Sequence, residues 1–341
     1  MYNWLHRVWY DGGASYRLLL PLTGLYWLLV ETRRYLYRIG LLSSQKVVAP
    51  VIVVGNITTG GTGKTPLTIW LAQQLRAQGF SPGIVSRGYG GSKSATSMRV
   101  DSASDPAVVG DEPVLLAQRS SCPVVVDRDR SRAAEMLVAD GADVIIADDG
   151  LQHYRLARSY EICVVDGARG LGNRYLLPAG PLREPVARLK KVDRVLLNGP
   201  LQKEDAALST LLRDSIEFEL RPNMAVRLNG SQVRPIDSFA GTTVHAVAAI
   251  GNPSRFFDLL RAGGMQVIEH AYPDHAALSI EQLKFGDEFE VLMTEKDAVK
   301  LGKSVSDKFW SMPVELVIDP LLADPWLEDI VSQLRIDEVA E

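Results

Sequence analysis

The chain has 341 residues, 46% of them hydrophobic and 23% charged, which is the composition of a globular protein long enough for two domains of roughly 100 to 200 residues. The net charge of −4 argues against a dedicated nucleic-acid binder, because such proteins usually carry a basic domain or stripe. The two cysteines, Cys122 and Cys163, are too few for a disulfide framework and fit a reducing compartment.

Residues 1–46 differ from the rest of the chain, with six Lys or Arg against two acids, three Trp and six Tyr. The uncharged run from Leu18 to Val30 has 13 residues, fewer than the roughly 20 that span a bilayer. Charged residues follow it instead of a small-residue cleavage site, which argues against a secretory signal. We predict an amphipathic helical arm on an anionic membrane surface, the alternative being a helix packed on the core. The aromatic residues expected on its apolar side are Trp4, Trp9, Tyr26 and Trp27.

Residues 51–65 have the pattern of a strand, a glycine-rich turn and a helix start. In this arrangement backbone N–H groups point at phosphates, Lys64 reaches the outer ones and the Thr65 hydroxyl suits Mg²⁺. The Walker A spacing is met except at its first glycine, where Thr58 stands. The alternative is a turn without a ligand. The residues predicted to bind the nucleotide are Thr58, Thr59, Gly60, Gly61, Thr62, Gly63, Lys64 and Thr65.

From residue 47 to about 198, short apolar runs alternate with helical patterns, which predicts a P-loop NTPase-type, mostly parallel sheet flanked by helices. The predicted strands are 51–54, 82–86, 123–127, 144–147, 162–166 and 194–198. Ligands of such sheets gather beyond the carboxyl ends of the strands. We therefore expect Lys64, Arg87, Asp148 and Asp166, which all follow strands, to lie near one edge.

Asp111 and Glu112 stand at the start of a predicted helix, where capping and the helix dipole alone explain acids. An exposed helix tip also suits a general base that accepts the proton of a substrate hydroxyl. The residues alone leave both interpretations open.

Asp148 and Asp149 follow a predicted buried strand, at the position of a Walker B carboxylate. Two adjacent acids are costly without a cation, and Mg²⁺ bound through one or two carboxylates and substrate phosphates supplies it. The alternative is a solvated Asp-Asp-Gly turn.

The Gly- and Pro-rich segment 166–185, called the long loop below, is longer than packing needs and is therefore expected to be functional. Its polar content includes Arg169, Arg174, Arg183 and Glu184. We predict that the arginines clamp phosphates and that Glu184 approaches the metal.

Residues 216–242 read as a hairpin linker centred on the Asn229-Gly230 turn, and a smaller α/β unit follows. The predicted domains are thus 1–46, 47–215, 216–242 and 243–341. The elements expected in the last are strands 245–250, 266–269, 290–293 and 314–318 and helices 253–262, from 296, and 326–334. His275 lies there in a Pro-Asp turn. A loop histidine is usually just solvated, but if the two domains face each other across the nucleotide, His275 could pair with Asp111.

Seven motifs, taken in order over nearly the whole chain, closely resemble the tetraacyldisaccharide 4'-kinase family of Gram-negative bacteria. They are Asn56–Pro66, Ser86–Gly90, Gly110–Pro113, Asp148–His153, Leu177–Pro185, Pro273–His275 and Met293–Lys300. The basic, aromatic N-terminus is similar to that family's membrane-associating arm. One departure is visible, because the family often has a second His after the Asp-His pair, where Ala276 and Ala277 stand here.

The resemblance implies ATP-dependent phosphorylation of the 4'-hydroxyl of tetraacyldisaccharide 1-phosphate, giving lipid IVA in lipid A biosynthesis, at the cytoplasmic face of the inner membrane. No nucleic acid and no obligate protein partner are expected. Asp111 would be the general base with His275 as its partner, and Lys64 would contact the phosphates. The implied Mg²⁺ neighbours are Thr65, Asp148, Asp149 and Glu184. The other residues expected to line the site are Arg87, Tyr89, Glu112, His153, Arg174 and Arg183.

Two other classes fit parts of the sequence. A membrane-associated ATPase switch of the partitioning or positioning type dimerises through a lysine at the position of Thr59, so its absence here favours a phosphotransferase. A soluble sugar or nucleoside kinase explains the glycine-rich turn but gives the N-terminal arm no role.

Overall fold

A computed structural model describes residues 2–12, 14–88, 96–202, 205–274, 276–302 and 307–339. Two residues of the predicted site, Tyr89 and His275, lie outside them. The helices are α1 Tyr2–Tyr10, α2 Leu20–Arg38, α3 Lys64–Ala77, α4 Pro106–Val109, α5 Asp111–Ser120, α6 Arg130–Ala139, α7 Ala206–Leu211, α8 Pro253–Ala262, α9 Glu295–Leu301 and α10 Pro320–Val339. Short 3₁₀ helices cover Ala14–Leu19, Val186–Lys190, Ile236–Phe239 and Glu281–Leu283.

The strands divide between two sheets. They are β1 Val51–Gly55, β2 Pro82–Ser86, β3 Met98–Val100, β4 Val124–Val126, β5 Val144–Asp148, β6 Tyr160–Asp166, β7 Arg194–Asn198, β8 Ile216–Pro222, β9 Met224–Arg227, β10 Val233–Pro235, β11 Thr243–Ala248, β12 Gln266–Ala271, β13 Glu290–Thr294, β14 Phe309–Met312 and β15 Val314–Ile318. Among the described residues, the larger sheet has nine strands in the order β15-β8-β7-β6-β1-β5-β2-β4-β3. The smaller has six in the order β10-β9-β14-β13-β11-β12.

The larger sheet is parallel from β8 through β4, and its two edge strands, β15 and β3, are antiparallel to their neighbours. Its central strands β1, β2 and β5 are buried along their whole length, because helices cover both faces. On one face α3 and α10 pack together, with the rings of Trp70 and Trp326 stacked 5.7 Å apart. The mostly parallel α/β sheet and its six predicted strands are confirmed, within one or two residues at their ends.

The smaller sheet combines a parallel part, β14-β13-β11-β12, with the antiparallel hairpin β9–β10 at its edge. The hairpin predicted around Asn229-Gly230 is confirmed, and Arg227 N–H donates to Gln232 O across it at 2.9 Å. Neither β3 nor β14 was predicted from the sequence. Both have at most four residues, too few to show a period.

The smaller sheet belongs to an insertion between two neighbouring strands of the larger one. Asn223 alone separates β8 from β9, and Pro313 alone separates β14 from β15. Pro222, at the end of β8, pairs directly with Val314, at the start of β15. The domain boundaries at 215 and 242 stay predictions. The strand predicted at 314–318 and the helix predicted at 326–334 were expected in the smaller unit, but β15 and α10 pack with the larger sheet, as β8 does.

The N-terminal helices lie against the long loop. Trp9 Nε1 donates to Pro178 O at 2.9 Å, and the Tyr26 hydroxyl donates to Arg183 O at 3.0 Å. The placement of Trp9 and Tyr26 on the membrane side was therefore wrong, whereas Trp4 and Trp27 are exposed. In the described part of the chain, no helix has the length and apolar character needed to cross a membrane.

Candidate active site

The predicted phosphate-binding turn between β1 and α3 is fixed by contacts from both sides. The long loop pairs with it, since Thr59 N–H donates to Pro181 O at 2.8 Å and Arg183 N–H donates to Ile57 O at 2.7 Å. Gly63, just before α3, has a left-handed φ of 97° that only glycine adopts readily. The turn is therefore held open at the start of a helix, the geometry that binds phosphates.

A buried amide supports the same turn from the end of β7. Asn198 Nδ2 donates to Thr62 O at 3.0 Å, and Asn198 Oδ1 accepts from Arg255 of α8 at 2.7 Å. Gly251, also in the smaller unit, lies so close that a Cβ there would come within 2.8 Å of Gly61 N. The predicted phosphate-binding turn thus lies where the unit of the larger sheet meets the unit of the smaller one. No sequence pattern indicated Asn198 or Arg255.

Asp149 is surrounded by cations. Its Oδ1 lies 3.5 Å from Lys64 Nζ, and Arg183 Nη1 donates to both its oxygens at 3.1 Å. Burial acts to raise the pKa of Asp149, but Lys64, Arg183 and Arg130 outweigh it and hold the pKa below its ordinary value. Asp149 is therefore ionised and already paired with the lysine of the turn.

Asp148 has a different environment. It is buried, and its Oδ1 accepts a hydrogen bond from Thr68 Oγ1 of α3 at 3.2 Å. Burial, together with the negative charges of Glu112 and Asp149, raises the pKa of Asp148 to about 7. A carboxylate in this position gains most from a nearby cation.

The oxygen donors near this edge fit Mg²⁺. Thr65 and Thr68 are three residues apart on α3, so Thr65 lies near the side of the helix that contacts Asp148. Among the described residues no three His, Cys, Asp or Glu side chains form a metal cluster. Mg²⁺ needs only one or two carboxylates when phosphates and water complete its shell.

Glu184 is not brought together with these aspartates. It is 1% exposed, and its Oε1 accepts from Gln152 Nε2 at 2.8 Å while its Oε2 accepts from the Tyr154 hydroxyl at 2.5 Å. Arg188 Nε lies 3.3 Å from the same Oε2. The role of Glu184 as a metal neighbour stays a prediction, and in this structure both its oxygens already have partners.

The arginines of the long loop contact different parts of the structure. Arg169 donates from Nη2 to Gly61 O and from Nε to Asp166 at 2.9 Å, so it contacts the phosphate-binding turn. Arg174 instead pairs with Asp205 in front of α7. Of the predicted clamp, Arg169 contacts the predicted phosphate-binding turn and Arg183 contacts Asp149, whereas Arg174 is held away from both by Asp205.

A buried arginine that the sequence did not single out lies close enough to the two aspartates for their charges to affect it. Arg130 is 4% exposed, and its Nε has no hydrogen-bond partner among the described residues. Burial lowers the pKa of Arg130, and the nearby positive charge of Arg87 lowers it further. Asp149 and Asp148 act to raise it but do not outweigh the burial. His153 lies nearby, and burial and Arg130 lower its pKa to about 4, so this ring is neutral at pH 7.

Asp111 begins α5 and is buried, 5% exposed, rather than at an exposed tip. Its Oδ1 accepts from Glu112 N–H at 2.9 Å. Lys300 Nζ of α9 lies 3.6 Å from Asp111 Oδ2, and Lys296 Nζ lies 3.0 Å from Glu112 Oε1. Lys296 Nζ also lies 3.4 Å from Asp274 Oδ1. The turn before position 275 is thus close to Asp111, although the predicted pairing with His275 falls outside the described residues.

Comparison with known proteins identifies the family of this chain. The family profile of tetraacyldisaccharide-1-P 4'-kinase matches residues 15–332. Tetraacyldisaccharide 4'-kinase of Nitrosococcus oceani is 47% identical over 311 residues, covering 91% of this chain and 89% of the relative. That of Alkalilimnicola ehrlichii is 50% identical over 302 residues, covering 89% and 88%.

A solved structure has the same fold. The crystal structure of LpxK from Aquifex aeolicus, in complex with ATP, superposes with a TM-score of 0.74 at 26% sequence identity. The match covers 94% of this chain and 99% of that one. The chain therefore belongs to the tetraacyldisaccharide 4'-kinase family.

Proposed function

We propose that this kinase of lipid A biosynthesis transfers the γ-phosphoryl group of ATP to the 4'-hydroxyl of tetraacyldisaccharide 1-phosphate, giving lipid IVA. The observation that carries the proposal is that two pairs of acidic residues lie close together at one edge of the larger sheet. One is Asp148 with Asp149, next to the lysine of the phosphate-binding turn. The other is Asp111 with Glu112, and the negative charge of Glu112 raises the pKa of Asp148.

In this proposal Asp111 accepts the proton of the 4'-hydroxyl as the phosphoryl group arrives. Phosphoryl transfer passes through a loose transition state that needs positioning and charge neutralisation more than covalent chemistry. Lys64 and Arg169 supply positive charge at the turn, and the backbone N–H groups before α3 orient the phosphates. His275 is the proposed partner of Asp111.

We assign Mg²⁺ to Thr65, Asp148 and Asp149. Bound there, the ion would neutralise charge on the phosphate oxygens. Glu184 is left out of the set because it is 1% exposed and hydrogen-bonded to Gln152 and Tyr154, whereas the Asp149 side chain is 34% exposed beside Lys64.

Turnover of labelled ATP tests the reaction. We expect phosphorylation of the acylated disaccharide and not of the same sugar without acyl chains. Asp111→Asn should lower kcat by about 10² or more and leave ATP affinity nearly unchanged. Asp258→Asn, on the exposed face of α8, is the control.

Near-wild-type turnover of Asp111→Asn would refute the assignment of Asp111 as the general base. ATP hydrolysis that is indifferent to the disaccharide would point to an ATPase switch, and transfer to a sugar without acyl chains to a soluble sugar kinase.

We also propose that α2 rests on the cytoplasmic face of the inner membrane. Leucines recur on its outer side at intervals of three or four residues, and Leu22, Leu25 and Leu29 are 56%, 57% and 62% exposed. Three arginines near the end of α2 could contact anionic lipid headgroups. They are Arg33, Arg34 and Arg38.

Co-sedimentation with vesicles tests the membrane contact. Removing the whole arm would also remove the contacts of Trp9 and Tyr26, so substitutions are the cleaner perturbation. Leu25→Glu with Leu29→Glu should abolish binding to anionic vesicles, whereas Leu321→Glu, at a more exposed leucine of α10, should not. Undiminished binding of the double variant would exclude this surface.

A further inference from the structure

The helix α9 is firmly built into the smaller unit. Thr294 precedes it, and its Oγ1 accepts from Asp297 N–H at 3.2 Å and donates to Asp297 Oδ2 at 2.6 Å. Asp297 is fully buried and also accepts from Ala249 N–H at 2.9 Å. Its other oxygen accepts from Lys300 Nζ at 2.8 Å. The direction of α9 and the position of Lys300 are therefore fixed by buried hydrogen bonds.

The same helix packs against α5 of the larger unit. At one end, Arg119 Nη1 donates to both oxygens of Glu295 at 2.7 and 2.8 Å. At the other, Lys300 reaches Asp111, the first residue of α5. Lys296 lies between Glu112, Asp274 and Asp111, at 3.0, 3.4 and 4.0 Å.

The charges at this contact do not balance without the two lysines. Asp111, Glu112 and Asp274 converge in a half-buried space, and like charges that close disfavour ionisation. Burial acts to lower the pKa of Lys296, but Glu112, Asp111 and Asp274 outweigh it and raise that pKa, so Lys296 is charged. A protonated Asp111 could not accept a proton, so a base at this position needs compensating positive charge, and Lys296 and Lys300 are the cations in contact with it among the described residues.

We propose that Lys296 and Lys300 are positioning residues of the kinase reaction, which hold Asp111 ionised and oriented from the smaller unit. The inference rests on the proposed function, in which Asp111 is the base. It follows that the base is in its reactive state only while α9 is docked on α5. The Arg119–Glu295 pair, at the far end of the same contact, contributes to docking without touching Asp111.

The test uses the full-length protein with ATP and the acylated disaccharide. Lys296→Met and Lys300→Met remove one charge each with little change in shape, and Lys296→Arg keeps the charge. We expect Lys296→Met to lower kcat about 10-fold or more, with KM for ATP within about twofold of wild type. Lys296→Arg should recover much of the loss. Lys308→Met, which removes a lysine that contacts Glu288 in the same unit, is the control.

A double variant separates positioning from simple stability. In an Asp111→Asn background, Lys296→Met should cause little further loss of kcat, because both changes act through the same carboxylate. An equal loss in both backgrounds, or unchanged kcat in Lys296→Met and Lys300→Met, would overturn the proposal. Urea unfolding of each variant shows whether it is folded, and Lys300→Met provides the test if Lys296→Met is not.

The outcomes also separate this proposal from the proposed function. A wild-type protein that does not phosphorylate the disaccharide contradicts the function itself. An active wild type with a fully active Asp111→Asn contradicts the base. Loss in Asp111→Asn with normal lysine variants contradicts only the positioning role.

Discussion

Replacing Gly63 by alanine tests whether the left-handed residue before α3 shapes the phosphate-binding turn. At its φ of 97°, a non-glycine residue costs about 1–2 kcal/mol. The new Cβ would lie 2.7 Å from Asn198 Nδ2, so the buried amide must move and its bond to Thr62 O is lost. An unsatisfied buried group costs about 1–3 kcal/mol. We expect Gly63→Ala to lower the free energy of unfolding by about 3 kcal/mol.

Gly61→Ala is the matched control in the same turn. A Cβ at Gly61 meets nothing within 4 Å, and its backbone is not left-handed. Its effect should stay within about 0.5 kcal/mol. Urea unfolding of the ligand-free protein, followed by circular dichroism, measures both. With a slope of about 3 kcal/mol per M, the Gly63→Ala midpoint should fall by roughly 1 M. Equal midpoints for the two variants would refute the reasoning.

Three further outcomes follow from the site. The pKa of His153, about 4 when folded, lies below its ordinary value of 6.5, so its contribution to stability is present above pH 6.5 and is lost as the pH falls toward 4. His153→Gln should therefore remove about 2 kcal/mol of the stability loss between pH 7 and pH 5 in urea titrations, and an unchanged slope would contradict this. Glu184→Gln should lower the free energy of unfolding by about 2–3 kcal/mol because Arg188 loses a buried partner. At the exposed Glu219 side chain, the same substitution should change that free energy by less than about 0.5 kcal/mol. Equal effects would argue against a buried network around Glu184. ATP at about 100 times its Kd should stabilise the protein by about 2.7 kcal/mol in thermal unfolding, and a Lys64→Ala variant that keeps this gain would exclude Lys64 from the nucleotide site.

The sequence predicted the larger sheet well because its buried parallel strands are continuous apolar runs. It also predicted the phosphate-binding turn, whose residues are contiguous in the chain. Lys296 was different, because it is 184 residues from Glu112 and only folding brings the two together. The motif that contains Lys296 was recognised, but nothing in its spacing indicated which side chains it would meet.

Glu184 shows a second limit of sequence reasoning. Arg183 was expected at the phosphates and Glu184, the next residue, at the metal of the same site. The segment is extended there, pairing Leu182 with Thr58, and successive side chains of an extended segment point to opposite sides. Arg183 therefore reaches Asp149 while Glu184 reaches Tyr154. In the N-terminal arm, composition could not distinguish Trp9, which donates to the long loop, from the exposed Trp27.

The two single-residue connections at Asn223 and Pro313 restrict how the smaller unit can move. Each residue extends a chain by at most about 3.6 Å, so neither connection has slack. The connections lie side by side, because Pro222 and Val314 are paired, and Asn223 Nδ2 donates to Glu315 at 2.7 Å across them. Twisting one unit against the other would break the hydrogen bonds between β8 and β15, whereas bending about these two strands would keep them. We expect the smaller unit to move by hinge bending about the paired strands β8 and β15. This motion opens the nucleotide cleft by separating α5 from α9.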